Sequence, residues 1–278
     1  MCDNQGPSVV TLDSNAAWRL AKRMVSHNRD MVVAIAGVFF VLPDLVKALL
    51  PMPQFHEGMT VQQASEAITR FYAGTPWLIG VIVVLSGLSM VGFLTVLTIL
   101  LDRRRPTVRE ALGTGFRLLP TYLAAQVLIV IVLSFVWALL LGVFARVLPA
   151  SVAPLAATML MIYPVLRVVL VGPELVIRRV WNPIRGISGA LACTRGHGAA
   201  LALVFGPALG LFVVAYGLVM IVIETVLARL GTGEAPRLIG EAISVVLLAV
   251  GYSYFAAIVA ATYQQLGAIP ASGDAITP

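Results

Sequence analysis

The stretch Leu123–Leu148 reads LAAQVLIVIVLSFVWALLLGVFARVL and decides the fold class, because Arg146 is its only charged residue. An α-helix needs about 20 mostly apolar residues to cross a hydrocarbon core about 30 Å thick. The stretch is longer than that, and it lacks the alternation of apolar and polar residues that membrane β-strands show. It therefore predicts a transmembrane helix.

Five other stretches have the same character, so we expect six spans. They are Met31–Leu50, Trp77–Leu101, Val152–Val171, Ala199–Leu227 and Leu238–Tyr263. Of all residues, 59% are apolar and 12% are charged, and the mean hydropathy is +0.95. Soluble domains carry about 25% charged residues. The fold class predicted is an all-α polytopic membrane protein with six transmembrane helices.

The basic residues predict the orientation of the spans. Thirteen of the 19 Lys and Arg residues fall on the side that holds the N-terminus, five fall on the other side, and Arg167 lies inside the fourth span. Cytoplasmic loops carry the excess of Lys and Arg. We therefore expect a multi-pass protein of the bacterial inner membrane with both termini in the cytoplasm.

Three basic amphipathic segments are expected to lie in the headgroup plane, each followed by a transmembrane hairpin. They are Ser14–His27, a segment that begins at a Thr107–Glu110 capping box, and a segment that begins at Asn182 and Pro183. Anionic lipid headgroups are the expected partner, and nucleic acid is not, because the basic residues are scattered between spans. The candidate interfacial residues are Arg19, Lys22, Arg23, Arg103, Arg104, Arg105 and Arg185.

This arrangement predicts three regions along the chain. Residues 1–30 form a cytoplasmic N-terminal segment with the first interfacial helix, and residues 31–265 form the six-helix domain. Residues 266–278 form a cytoplasmic tail that we expect to be disordered.

The sequence offers little catalytic chemistry. Its histidines, His27, His56 and His197, fall in three segments on both sides of the predicted membrane and cannot form one metal site. We found no glycine-rich phosphate loop, nucleophile elbow or paired-carboxylate motif. We therefore expect no catalytic residue, no cofactor and no metal, and do not expect an enzyme.

Charges near the end of the fourth span are the main functional candidates, because an unpaired charge in a membrane is costly. Arg167 and Glu174 are seven residues apart and would share one face of a continuous helix. They could line a cleft for a lipid headgroup or a substrate, together with Arg178. Alternatively, Arg167 extends to the interface and Glu174 neutralises Arg178, in which case Arg167→Leu would leave stability equal or higher.

Two other features predict contacts between helices. Gly206, Pro207 and Gly210 combine the spacing of a close helix contact with a helix-kinking proline. The alternative is a discontinuous helix at a transport site. At the outer ends of the last two spans, Arg237 is expected to pair with Glu241 and Glu224.

Three short stretches suggest a family. They are MIYPVLR (161–167), GPELVIR (172–178) and GALACTRG (189–196), and together they resemble the membrane domain of some bacterial glycerophosphodiester phosphodiesterases and related inner-membrane proteins. The resemblance implies the fold. It does not imply phosphodiesterase activity, because the catalytic barrel of those enzymes is a separate domain.

Three functions remain as hypotheses, and an intramembrane enzyme is the least favoured of them because no nucleophile–base or metal constellation is visible. The first is a non-catalytic membrane module that organises lipids or acts as an accessory subunit beside a membrane-protein partner. The second is a transporter or lipid-translocating protein that uses the cleft around Arg167 and Glu174.

Overall fold

A computed structural model describes residues 13–53, 58–102, 104, 106–149, 151–230 and 233–266. Two of the candidate interfacial residues, Arg103 and Arg105, and all but the first residue of the predicted tail 266–278 lie outside these ranges. Within them the chain is mostly helical and contains no strand. Six helical segments are long and apolar enough to cross a membrane. The predicted fold class is thereby confirmed.

The described helices are named here in chain order. The first four are α1 (Ser14–His27), α2 (Arg29–Ala36), α3 (Leu42–Ala48) and α4 (Val61–Gly74), and a π-helical turn, Gly37–Val41, joins α2 to α3. The long helices that follow are α5 (Pro76–Leu101) and α6 (Val108–Phe144). The remainder are α7 (Ala153–Val168), α8 (Val171–Arg178), α9 (Pro183–Cys193), α10 (Gly198–Leu230) and α11 (Glu234–Gln265).

The third span begins earlier than the sequence indicated. The Thr107–Glu110 capping box forms as predicted, with the Thr107 N–H donating to Glu110 Oε2 at 2.9 Å. The helix that it starts does not end before the membrane, however, and α6 runs through Pro120 to Phe144. Proline is tolerated inside membrane helices because neighbouring groups satisfy the carbonyl that loses its donor. The second expected interfacial helix is therefore the first part of a transmembrane helix.

The fourth span differs in the opposite way, because it is broken. α7 ends at Val168, a turn follows at Val169 and Leu170, and α8 continues to Arg178. The span thus comprises Ala153–Arg178, longer than the predicted Val152–Val171. The break separates Arg167 from Glu174, so the two residues do not share the face of one continuous helix.

The core lies at one end of the bundle. Most of its buried side chains come from the last part of α5, the first part of α6, α8, the start of α10 and the last part of α11, and α1, α2, α9 and the π-helical turn add others. Towards the other end the helices expose apolar side chains: within the most apolar windows of the third and fifth spans, 6% and 0% of residues are buried. Lipid solvates such surfaces without cost. The core therefore lies at the same end of the bundle as most of the basic residues.

Helix α1 has the predicted bounds but a different environment. Asp13 caps it by accepting hydrogen bonds from the backbone N–H groups of Asn15 and Ala16. Ala17 and Ala21 are buried in the core, and α1 packs against α11 and α10. These small side chains let two helices approach closely. The apolar face expected to contact lipid is therefore covered by protein to a large extent, whereas Arg19, Lys22 and Arg23 remain exposed.

The close helix contact predicted for α10 is not present among the described residues. Gly206 and Gly210 are exposed, and no described atom lies within 4 Å of a Cβ built on either. Pro207 is also exposed, and α10 continues through it without a break. The glycines that do permit close approach are Gly92, where a Cβ would meet Phe39, and Gly251, where it would meet Phe212.

Candidate functional site in the fourth span

Glu174 is a buried carboxylate with both oxygens bound. It lies in α8 with 1% of its surface exposed. Its Oε1 accepts the Nε–H of Arg178 at 2.7 Å, and its Oε2 accepts the hydroxyl of Tyr263 at 2.6 Å. An unpaired buried carboxylate would cost several kcal/mol. The hypothesis that Glu174 neutralises Arg178 agrees with this geometry, and Tyr263 adds a connection from α8 to α11.

Helix α9 covers Glu174 from one side. A Cβ built on Gly189 would overlap the Glu174 carboxyl group, and one built on Gly186 would meet the side chain of Leu175. Both glycines are on the face of α9 that packs against α8. Because no side chain intervenes, the α9 backbone lies directly over the carboxylate and separates it from the surroundings.

Arg167 binds the C-terminal end of α9. Its Nε–H donates to Thr194 Oγ1 at 3.2 Å, and its Nη2 donates to the carbonyl of Leu191 at 2.6 Å. The guanidinium carbon lies 5.8 Å from the centre of the Tyr163 ring, within the range of a cation–π contact. Carbonyls in the last turn of a helix lack intrahelical donors and carry partial negative charge. Arg167 satisfies one of them in α9.

The candidate cleft residues therefore occupy two separate contacts. Arg167 binds the C-terminal end of α9, whereas Glu174 and Arg178 pair with each other beneath its middle. Because Glu174 is covered, it does not line an open cleft in this structure. The side chain of Arg178 is 32% exposed, so part of its guanidinium still faces outward.

The other charges divide between the two ends of the bundle. Ion pairs among the described residues are Lys47–Asp44 at 2.9 Å, Arg178–Glu174 at 2.7 Å and Arg179–Asp102 at 4.0 Å. The pair expected between Arg237 and Glu241, with Glu224 nearby, does not form within the described chain. Arg237 and Glu224 are both exposed. Candidate interfacial residues that are exposed and have no described carboxylate within ion-pair distance are Arg19, Lys22, Arg23, Arg104 and Arg185.

Sequence reasoning missed three residues of this site. Tyr263 was identified only as the last residue of the sixth predicted span, yet it is fully buried against Glu174. Gly186 and Gly189 are three residues apart on a short helix, which is the spacing of one helix face, and that pattern could have indicated a close contact. No feature of the sequence pairs Tyr263 with a residue 89 positions away.

Within the described ranges, no group of three or more His, Cys, Asp or Glu residues is placed to hold a metal ion. Outside the fourth span, a polar contact also joins two membrane helices, between the hydroxyls of Tyr216 and Ser244 at 2.7 Å. It connects α10 to α11 in the half of the bundle away from the core.

Comparison of this chain with protein-family models, curated proteins and solved structures found no match. The resemblance to the membrane domain of glycerophosphodiester phosphodiesterases therefore stays a prediction.

Proposed function

We propose that this protein is a non-catalytic membrane module that gathers anionic lipids around one end of its helical bundle. The observation that carries the proposal is the contrast between its two sets of charges. Within the bundle, Arg167 and Glu174 are engaged by protein groups. At the end of the bundle, exposed basic side chains have no carboxylate partner among the described residues.

This contrast favours lipid headgroups because they supply the missing negative charge. Each Lys or Arg near an anionic membrane surface contributes about 1 kcal/mol of attraction. Helix α1 adds to the effect because its alanines fix it to α11, so Arg19, Lys22 and Arg23 are held on a rigid element. We place this basic end on the cytoplasmic side of a bacterial inner membrane, following the positive-inside rule.

A transporter or lipid-translocating protein is the second candidate, and the break between α7 and α8 is the observation that favours it. Discontinuous membrane helices often surround substrate sites. Here the break lies between Arg167 and Glu174. A substrate could reach these two residues only if α9 moved away from both of them. Because Glu174 is 1% exposed, this function requires a second conformation.

The test is to identify what copurifies with the full chain from native membrane in mild detergent. We expect phosphatidylglycerol and cardiolipin to be enriched over their share of the membrane. The triple variant Arg19→Gln, Lys22→Gln, Arg23→Gln should lose much of that enrichment. A matched variant, Arg70→Gln, Arg229→Gln, Arg237→Gln, removes three charges from the opposite end and should retain it.

Three other results of this copurification are possible, and each leads to a different conclusion about the function. Lipid present only in its bulk proportions in wild type would contradict the proposal. A stoichiometric membrane protein in place of lipid would support the accessory-subunit function. A bound solute that is lost on Arg167→Leu, but not on the triple variant, would support transport.

A further inference from the structure

The chain makes a fixed corner between α8 and α9. After Arg178, Arg179 adopts the left-handed conformation with φ of 48°, and the chain turns back so that α9 lies against α8. Asn182 caps α9 by accepting from the N–H groups of Ile184 and Arg185. The corner is also tied to α6, because Thr121 donates its hydroxyl to the Trp181 carbonyl at 3.3 Å.

Three arginines meet at this corner with too few carboxylates to neutralise them. Arg178 and Arg185 each lie within one helical turn of the contact between Leu175 and Gly186. Glu174 neutralises Arg178. The side chain of Arg179 is 65% exposed and reaches only the edge of ion-pair distance from Asp102, at 4.0 Å.

Arg185, the third, is exposed and has no described carboxylate within ion-pair distance. The corner thus carries excess positive charge on a backbone held by α6, α8 and the cap of α9.

Two large apolar side chains project beside these arginines. Trp181 is 66% exposed and Ile184 is 65% exposed, although smaller residues of α9 such as Gly186 and Ala190 are buried. The corner follows the end of the fourth span and precedes the start of the fifth at Gly198, so it lies at a membrane surface. Tryptophan is enriched at that depth, where its ring is partly in the acyl region.

We propose that the α8–α9 corner binds the phosphate of an anionic phospholipid headgroup. Arg179 and Arg185 contact the phosphate, and Trp181 and Ile184 enter the boundary between headgroups and acyl chains. A guanidinium presents a planar fork of donors that matches phosphate oxygens. The exposed apolar pair is the reason to assign a lipid over a free phosphate. This site rests on the proposed function and gives it a specific location.

The experiment measures phosphatidylglycerol bound to the purified full chain in mixed micelles, with phosphatidylcholine as the neutral comparison. The double variant Arg179→Asn, Arg185→Gln removes two charges. Asparagine tolerates the left-handed conformation at 179, so the turn is preserved. We expect phosphatidylglycerol to bind about tenfold more weakly, and phosphatidylcholine to be unaffected. The comparison variant is Arg19→Gln, Lys22→Gln on α1, which removes the same charge from the same end of the bundle and should weaken binding clearly less than the corner variant does.

The outcomes separate this site from the proposed function. If both double variants weaken phosphatidylglycerol equally, the basic end acts as a diffuse field; the corner site is then wrong, and the proposed function stands. If wild type shows no preference for phosphatidylglycerol, both are wrong. If soluble glycerol phosphate displaces the lipid at equal concentration, the corner binds free phosphate and the assignment to a lipid fails.

A second measurement keeps the corner intact. In a variant with Trp18, Trp77 and Trp137 changed to Phe, Trp181 is the remaining indole. Its fluorescence should be quenched by brominated phosphatidylglycerol more strongly than by brominated phosphatidylcholine. Equal quenching by the two lipids would rule out headgroup selectivity, and an absence of quenching would rule out insertion.

Discussion

Tyr263 and Glu174 join the end of the last span to the end of the fourth through one hydrogen bond of 2.6 Å, although 89 residues separate them. Both side chains are buried, so water cannot replace either partner. Arg178 binds the other carboxylate oxygen from the same helix as Glu174. The Tyr263 contact is thus the part of this cluster that connects different helices, and it should contribute to the association of α8 with α11.

Tyr263→Phe should lower the free energy of unfolding in detergent by about 1–2 kcal/mol. Hydrogen bonds to charged groups contribute about 1.5–3 kcal/mol in soluble proteins, whereas those between membrane helices average less. Phenylalanine keeps the ring and removes only the donor. Tyr254→Phe, at an exposed position of the same helix, is the control and should leave the melting temperature unchanged. Equal effects of the two changes would contradict the role assigned to Tyr263.

Gly189→Ala should destabilise the protein by about 1–3 kcal/mol, because the added methyl group would overlap a carboxylate that two donors hold in place. Gly206→Ala is the matched control, since a Cβ there meets no described atom. In a helix that change is expected to stabilise by a fraction of a kcal/mol. The measurement is thermal unfolding in detergent. Destabilisation by Gly206→Ala and not by Gly189→Ala would reverse this assignment.

The sequence predicted the parts of the fold that depend on local chemistry. Apolar length located all six spans, and hydrogen-bonding side chains located helix starts at Thr107 and Asn182. Its errors arose where surroundings override local preference. The segment that begins at Thr107 was expected to form an interfacial helix separate from the third span, but the helix continues through Pro120 into that span.

The candidate site was predicted in part, because Arg167, Glu174 and Arg178 were identified but the residues that contact them from other helices were not. The pair Glu174–Arg178 is one helical turn long and could be predicted from spacing. Tyr263 reaches Glu174 only because α8 and α11 are neighbours, and the order of helices around a bundle is not encoded in any short pattern. The turn at Val169 and Leu170 also lacks a glycine or proline within it to mark the break.

The proposed orientation predicts which sites react with an impermeant thiol reagent. In a chain with both native cysteines replaced, Ser65→Cys lies on exposed α4 and should react in intact spheroplasts. Ser188→Cys lies on the exposed face of α9, at the basic end, and should react only after lysis. Labelling of the Ser188 variant from outside would overturn the assignment of the basic end to the cytoplasm.

Arg167 gives the prediction in which the structure and one sequence-based hypothesis disagree. If its side chain only extended to the interface, Arg167→Leu would leave stability equal or higher, since a costly charge would disappear. The structure instead places its guanidinium on the Leu191 carbonyl and the Thr194 hydroxyl. Arg167→Leu would remove both donors from the end of α9 and should therefore lower the free energy of unfolding by about 1–3 kcal/mol.

Two further variants test whether the loss of stability comes from the hydrogen bonds that Arg167 donates. Arg167→Lys keeps the charge but cannot present two donors in one plane, so it should recover part of the lost stability. Arg195→Leu removes an exposed charge next to the same turn and should have little effect. Hydrogen exchange gives an independent readout, because loss of the Arg167 contact should increase amide exchange in α9 before it does so in α8. If Arg167→Leu melts at or above the wild-type temperature with α9 exchange unchanged, Arg167 does not hold the end of α9.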